Sequence, residues 1–216
     1  MIENSITVNK RKETRKRLST DERIKLYERF ETALRQFFNS TEFCYDNCFS
    51  KEKAIIGWRK SVGHIIGNGN EGCCYPNELY DFSNGLDCFF KEEQNYTSKH
   101  KEIFQEMQSK NVKKDFTQTG ICKYHTDEGC AIEKLRSPRC NSWICERYQD
   151  YLSREFGIDY QGIYYSNNVI KIPLSIVFHK RVNIRGIERA ILKIQDATNR
   201  IKTHELGQRY KKRIKI

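Results

Sequence analysis

Nine cysteines in a chain of 216 residues restrict what this protein can fold into more than any other feature. Eight of them fall into two groups. The first is Cys44-x3-Cys48 with Gly72-Cys73-Cys74, and the second is Cys122-x7-Cys130-x9-Cys140-x4-Cys145. The stretch from Met1 to Lys10 has neither the basic start nor the long apolar run of a signal peptide. The expected location is therefore the cytoplasm, a reducing compartment where clustered cysteines hold a metal more often than they form disulfides. Reduced core thiols are the plainer alternative, since free cysteine is among the most buried residue types.

Thiolates bind a metal only when several sulfurs meet at one point. Cys44 and Cys48 share a face if their segment is helical. Cys73 and Cys74 are adjacent, so their side chains diverge and one of them is expected to reach a given ion. Gly129 and Pro138 supply turns that can gather Cys122, Cys130 and Cys140. Neither group alone has enough well-spaced sulfurs for a closed four-ligand site. The expected ligand set therefore spans both: Cys44, Cys48, Cys73, Cys74, Cys122, Cys130, Cys140 and Cys145, on one or two centres. Cys88, beside Phe89 and Phe90, reads as a core residue or a ninth ligand. His125, three residues after Cys122, and His64 read as loop histidines before they read as ligands. Arg136 reads as a turn-stabilising arginine, with donation to a cluster sulfur as its functional alternative.

The spacings fit neither a zinc ribbon, a Cys2His2 finger nor the bacterial ferredoxin run. They point to a metal without naming it. Gly67-x-Gly69-x-x-Gly72 has the letters of a dinucleotide loop, but Cys73-Cys74-Tyr75-Pro76 follows where a helix is required. No phosphate-binding G-x-x-x-x-G-K-[ST] and no G-x-S-x-G nucleophile elbow is present.

The order C-x3-C, Cys-Cys, a later single cysteine, Gly129-Cys130-Ala131-Ile132 and Arg136-x3-Cys140 resembles the YkgJ-type zinc- or iron-chelating family, named for a CxxCxxCC pattern and similar to flagellin lysine N-methylases. The resemblance covers roughly residues 44–145. It places Cys44 and Cys48 at the family's first two cysteines, Cys73 and Cys74 at its doublet, and Cys122 at its later cysteine. This chain departs from the pattern in three places. Twenty-four residues separate Cys48 from Cys73, Glu133 stands where tyrosine is usual, and the proline of the last segment is displaced by one. The resemblance implies a zinc or iron–sulfur domain and a link to methyl transfer.

The net charge of +11 is uneven. Residues 1–17 hold six Lys/Arg against two Glu, and residues 200–216 hold seven against one, so the body between is close to neutral. The expected organisation is a flexible basic arm over 1–18, a cysteine-rich metal-binding domain over 19–160, and a hairpin plus long C-terminal helix and basic tail over 161–216.

The fold class is mainly α, with irregular cysteine-bearing loops between helices. Ser19 or Thr20 is placed to cap a helix with Ile24, Tyr27, Phe30, Leu34 and Phe37 on one face. A further helix is expected over 97–110, with Ile103, Phe104 and Met107 inward. Another should start at Ser137-Pro138 and run to about Phe156, burying Trp143, Ile144, Tyr148 and Leu152. Ile163–Tyr165 and Val169–Ile172 flank Ser-Asn-Asn as a short hairpin. Ile184, Ile187, Ile191, Ile194 and Ile201 form a stripe expected to pack on the chain's own domain.

The functional reading is a cytosolic cysteine-ligated metalloprotein holding zinc or an iron–sulfur cluster, with enzymatic, redox and methyl-transfer accessory roles all open. The alternative is a zinc-scaffolded protein associated with nucleic acid through its basic termini. An unidentified protein partner is compatible with either. No apolar run approaches the ~18 residues of a membrane span.

Overall fold

The computed structural model describes residues 15–41, 43, 98–118, 123–126, 129–142, 146–159 and 171–214. They are mostly helical, as the apolar periods require. Helix α1 spans Thr20–Phe38, and Ser19 caps it. Ser19 Oγ accepts from Glu22 N at 3.2 Å, and Glu22 returns a carboxylate to Ser19 N at 2.8 Å, closing a capping box. These bonds and the Lys16 ammonium hold the Glu22 carboxyl below its usual range. Ile24, Tyr27, Phe30, Leu34 and Phe37 are all buried, so the stripe read from the sequence is the core face.

Helix α2 spans Ser98–Lys110, with Phe104 fully buried and Ile103 and Met107 packed against the core. A two-residue pair, β1 (His125–Thr126) and β2 (Gly129–Cys130), follows in antiparallel register. The helix expected after Ser137 is described on either side of residues 143–145, as α3 (Pro138–Ser142) and α4 (Glu146–Phe156). Tyr148 and Leu152 are buried as expected, whereas Trp143 and Ile144 lie outside the described residues. Gly157, at φ +60°, ends α4 by donating its N–H to Ser153 O, a left-handed cap that glycine adopts without Cβ strain.

The hairpin reading fails at its second strand. Lys171 and Ile172 begin helix α5 (Lys171–Phe178), in which Ile172, Pro173, Leu174, Ile176, Val177 and Phe178 are all buried. An apolar run buried on every side has no alternation to distinguish helix from strand. Pro173 sits in the first turn, where its missing N–H removes no intrahelical bond. The proposed first strand, Ile163–Tyr165, lies outside the described residues.

Helix α6 runs from Ile184 to Ile214, so most of the expected basic tail continues the long helix. Ile187, Ile191, Ile194 and Ile201 are buried, and α6 packs along α1 and α4. Helix α5 fills the space between α1, α2 and α3. The end of the expected basic arm belongs to this packed body. Lys16 and Val182 form a β-bridge, with mutual N–H···O bonds of 3.0 and 2.8 Å, and Leu18 is buried. No described helix is long and apolar enough to cross a membrane.

Asn183 caps α6 by accepting from Gly186 N at 3.0 Å. A Cβ on Gly186 would stand 2.8 Å from Asn183 Nδ2. Glycine to alanine inside a helix ordinarily gains about 1 kcal/mol. Here the new methyl displaces a cap worth about the same. Gly186→Ala is therefore expected to leave the urea midpoint unchanged or lowered. A clear rise would show that Asn183 caps equally well from another rotamer.

Candidate metal centre

Of the eight expected ligands, the structure describes Cys130 and Cys140. Cys130 closes β2 and is half-buried; Cys140 lies in the first turn of α3 and is exposed. Cys44, Cys48, Cys73, Cys74, Cys122 and Cys145 lie outside the described residues, as do Cys88 and His64. The register of the short ladder sets His125 opposite Cys130. Opposed residues in such a ladder have Cα atoms about 4.5–5.5 Å apart. Among the described residues, no three of His, Cys, Asp and Glu converge to hold an ion. A metal centre that included Cys130 or Cys140 would need ligands from outside the described residues.

What the structure does show is how tightly the segment between these two cysteines is held. Its outer edge pairs with the strand-like exit of α2. Lys113 N donates to Ala131 O at 2.9 Å and Glu133 N donates to Asn111 O at 2.8 Å, around a Val112–Ile132 bridge. Ala131 N donates to Tyr124 O at 2.8 Å. Ala131, Ile132 and Leu135 are completely buried.

The inner edge is docked on α1. Glu31 is buried, and its two carboxylate oxygens accept from Leu135 N at 2.6 Å and Arg136 N at 2.9 Å. Leu135 has φ +59°, which for an L residue costs about 1–2 kcal/mol. That conformation turns two successive amides towards one point, the geometry of a backbone anion nest. The carboxylate of Glu31 fills it. Burial pushes the Glu31 carboxyl up, while the two amides and the Arg136 and Arg35 guanidinia draw it part of the way back.

Neighbouring groups complete the attachment. Tyr27 Oη donates to Arg136 O at 2.5 Å. Asn141 Nδ2 donates to Tyr27 Oη and to Arg136 O, each at 3.2 Å. Gln108, fully buried on α2, donates to Leu135 O at 2.9 Å. Arg35 donates to Glu133 O. Burial and the nearby Glu31 charge hold the Tyr27 phenol well above its usual value, so it stays a donor. Ser137 Oγ accepts from Cys140 N at 3.2 Å, which makes Ser137 the cap and Pro138 the first residue of α3, as its sequence suggests.

Arg136 Nε donates back to Ile132 O at 3.3 Å, a turn-stabilising contact; most of the cysteines of its alternative role lie outside the described residues. The other described histidines lie elsewhere. His100 Nδ1 meets Thr20 Oγ1 at 3.0 Å, and the His204 ring meets Phe156 edge to face. The sequence reading missed Glu31, Gln108 and Tyr27 as the groups that anchor the cysteine-bearing segment. No family model, no curated protein and no solved structure matches this chain.

Proposed function

We propose that this chain is a cysteine-ligated metalloprotein in which Cys130 and Cys140 are two of the ligands. The observation that carries the reading is the anchoring of residues 131–141 by Glu31, Tyr27, Gln108 and Asn141. A metal centre needs its ligands held within a fraction of an ångström, by groups outside the first shell. Buried polar groups aimed at backbone amides and carbonyls are a costly way to hold an ordinary loop. The remaining ligands would come from Cys44, Cys48, Cys73, Cys74, Cys122 and Cys145. Zinc would act there as a scaffold, and an iron–sulfur cluster would supply electron transfer. The methyl-transfer connection rests on the motif resemblance alone.

Anaerobic purification followed by metal and acid-labile sulfide analysis tests the proposal. Stoichiometric iron with sulfide and visible colour supports the cluster; a colourless protein with stoichiometric zinc supports the scaffold. Cys130→Ser and Cys140→Ser should each lose most of that metal. Cys88→Ala should keep it and behave as a core change of about 1–2 kcal/mol. Full metal content in both serine variants removes Cys130 and Cys140 from the site.

A further inference from the structure

The Lys16–Val182 bridge joins two basic stretches that are far apart in sequence. Arg15, Lys16 and Arg17 come from one; Lys180, Arg181 and Arg185 come from the other. All six are exposed. Each is within three residues of the bridge, so the six exposed residues start from backbone positions gathered within roughly 10–15 Å of it. Lys16 makes a 3.2 Å ion pair with Glu22, a solvated contact of the weak kind. Asp21 is the other acidic residue of that α1 turn, and Glu188 on the next turn of α6 is held by Arg29 at 2.8 and 2.9 Å. Among the described residues, Arg15, Arg17, Lys180, Arg181 and Arg185 make no ion pair.

The fold holds this cluster together actively. Arg23, buried beneath it, donates to Leu18 O at 3.2 Å, His179 O at 2.8 Å, Lys180 O at 3.4 Å and Ile176 O. One guanidinium thus fixes the two basic stretches relative to each other and adds a seventh positive charge. The first turn of α6 carries Arg185 and no acidic residue, at the end of the helix that is already positive. Like charges gathered in this way destabilise a fold and concentrate anions.

We infer that this face binds the phosphate backbone of a nucleic acid without reading its bases. Four of the six exposed groups are arginines, whose planar forks match phosphate oxygens two at a time. In sequence, Lys10, Arg11 and Lys12 extend the same run, which suits a linear polyanion. Residues 15–20 and 179–186 expose no large apolar side chain, which leaves neither a platform for base stacking nor a wedge for a bilayer. The face is distinct from the C-terminal basic run, because α6 is about 46 Å long at 1.5 Å per residue and Arg209–Arg213 lie towards its far end.

Fluorescence anisotropy of the full chain with a labelled DNA duplex and a labelled single-stranded RNA tests the inference. Between about 50 and 200 mM salt the affinity should fall steeply for at least one of them, which identifies the source of the phosphates. The triple variant Arg17→Glu/Arg181→Glu/Arg185→Glu should weaken binding about tenfold or more, and should reduce the salt slope by about 3. Lys110→Glu/Arg154→Glu/Lys202→Glu changes the net charge equally on other surfaces and should alter affinity by less than about threefold. The milder Arg181→Gln/Arg185→Gln variant guards against misfolding of the triple variant and should lower the slope by about 2. Equal losses in the patch and control variants would overturn the inference. So would binding to polyglutamate or anionic vesicles in the absence of nucleic-acid binding.

Discussion

Replacing Arg23 with alanine is expected to lower the melting temperature by about 10 °C, from a loss of about 3 kcal/mol in a chain of this length. The side chain is buried, and every hydrogen bond described for it runs to a main-chain carbonyl. Ile176 O belongs to the last turn of α5, where carbonyls lack intrahelical donors. Removing the guanidinium leaves that oxygen, and those of Leu18, His179 and Lys180, without their shared donor. Hydrogen bonds from a charged group contribute about 1.5–3 kcal/mol each, but the four are coupled and will not sum. Burial draws the Arg23 pKa down, yet an arginine stays charged at neutral pH, so the interaction should hold across the physiological range. Arg23→Lys is the sharper test. An ammonium is a point charge on a flexible stem and cannot span four carbonyls on two segments. It should recover less than half of the lost stability in a thermal or urea melt. Full recovery by lysine would mean that charge alone matters here, and that the fork geometry does not.

The charged residues that organise the fold were the hardest to read. The apolar face of α1 was legible because Ile24, Tyr27, Phe30, Leu34 and Phe37 repeat with the helical period, and burial follows from that repeat. Arg23 and Glu31 occupy the same helix and are equally buried. In a sequence they pass for a solvated face, because all but one of their partners, Leu18 O, are backbone amides and carbonyls more than a hundred positions away, and backbone groups leave no residue-type signature. The same reason hid the basic face. Lys180, Arg181 and Arg185 lie in a body whose net charge is near zero, and only the pairing of Lys16 with Val182 brings them beside the N-terminal run.

Short-range chemistry was easier to read. The Ser19 capping box, the Ser137-Pro138 start and the isoleucine stripe of α6 are set by residues within one or two turns of each other. The strand expected over Val169–Ile172 failed because burial on all sides erases the alternation that separates the two periods. Cysteine spacing points to a chemistry, but convergence is a tertiary property that spacing alone does not determine.

Glu31→Ala should cost about 3 kcal/mol and free the segment that carries Cys130. Two amides then lose a charged acceptor, and Leu135 keeps a left-handed conformation without the carboxylate that offsets it. Mass-spectrometric labelling should find Cys130 modified faster in the variant than in the parent protein, while Cys140, already exposed, changes little. Equal labelling of Cys130 in both proteins would show that the segment is held without Glu31. The same carboxyl should also leave a pH signature. Its folded pKa is raised from the ordinary value of 4.5, with burial the largest cause. Between 4.5 and that raised value the folded chain binds more protons than the unfolded one, so stability falls as pH rises through this window. The contribution is fully present below about pH 4.5 and is lost once pH passes the folded pKa. Glu31→Gln cannot titrate and should lack this component. The urea midpoint of the parent protein, referenced to Glu31→Gln at each pH, is therefore expected to decline from pH 4.5 upward and then level off. A rise over the same interval would mean that the two amides and the flanking arginines outweigh burial, and that the nest prefers the ionised carboxylate.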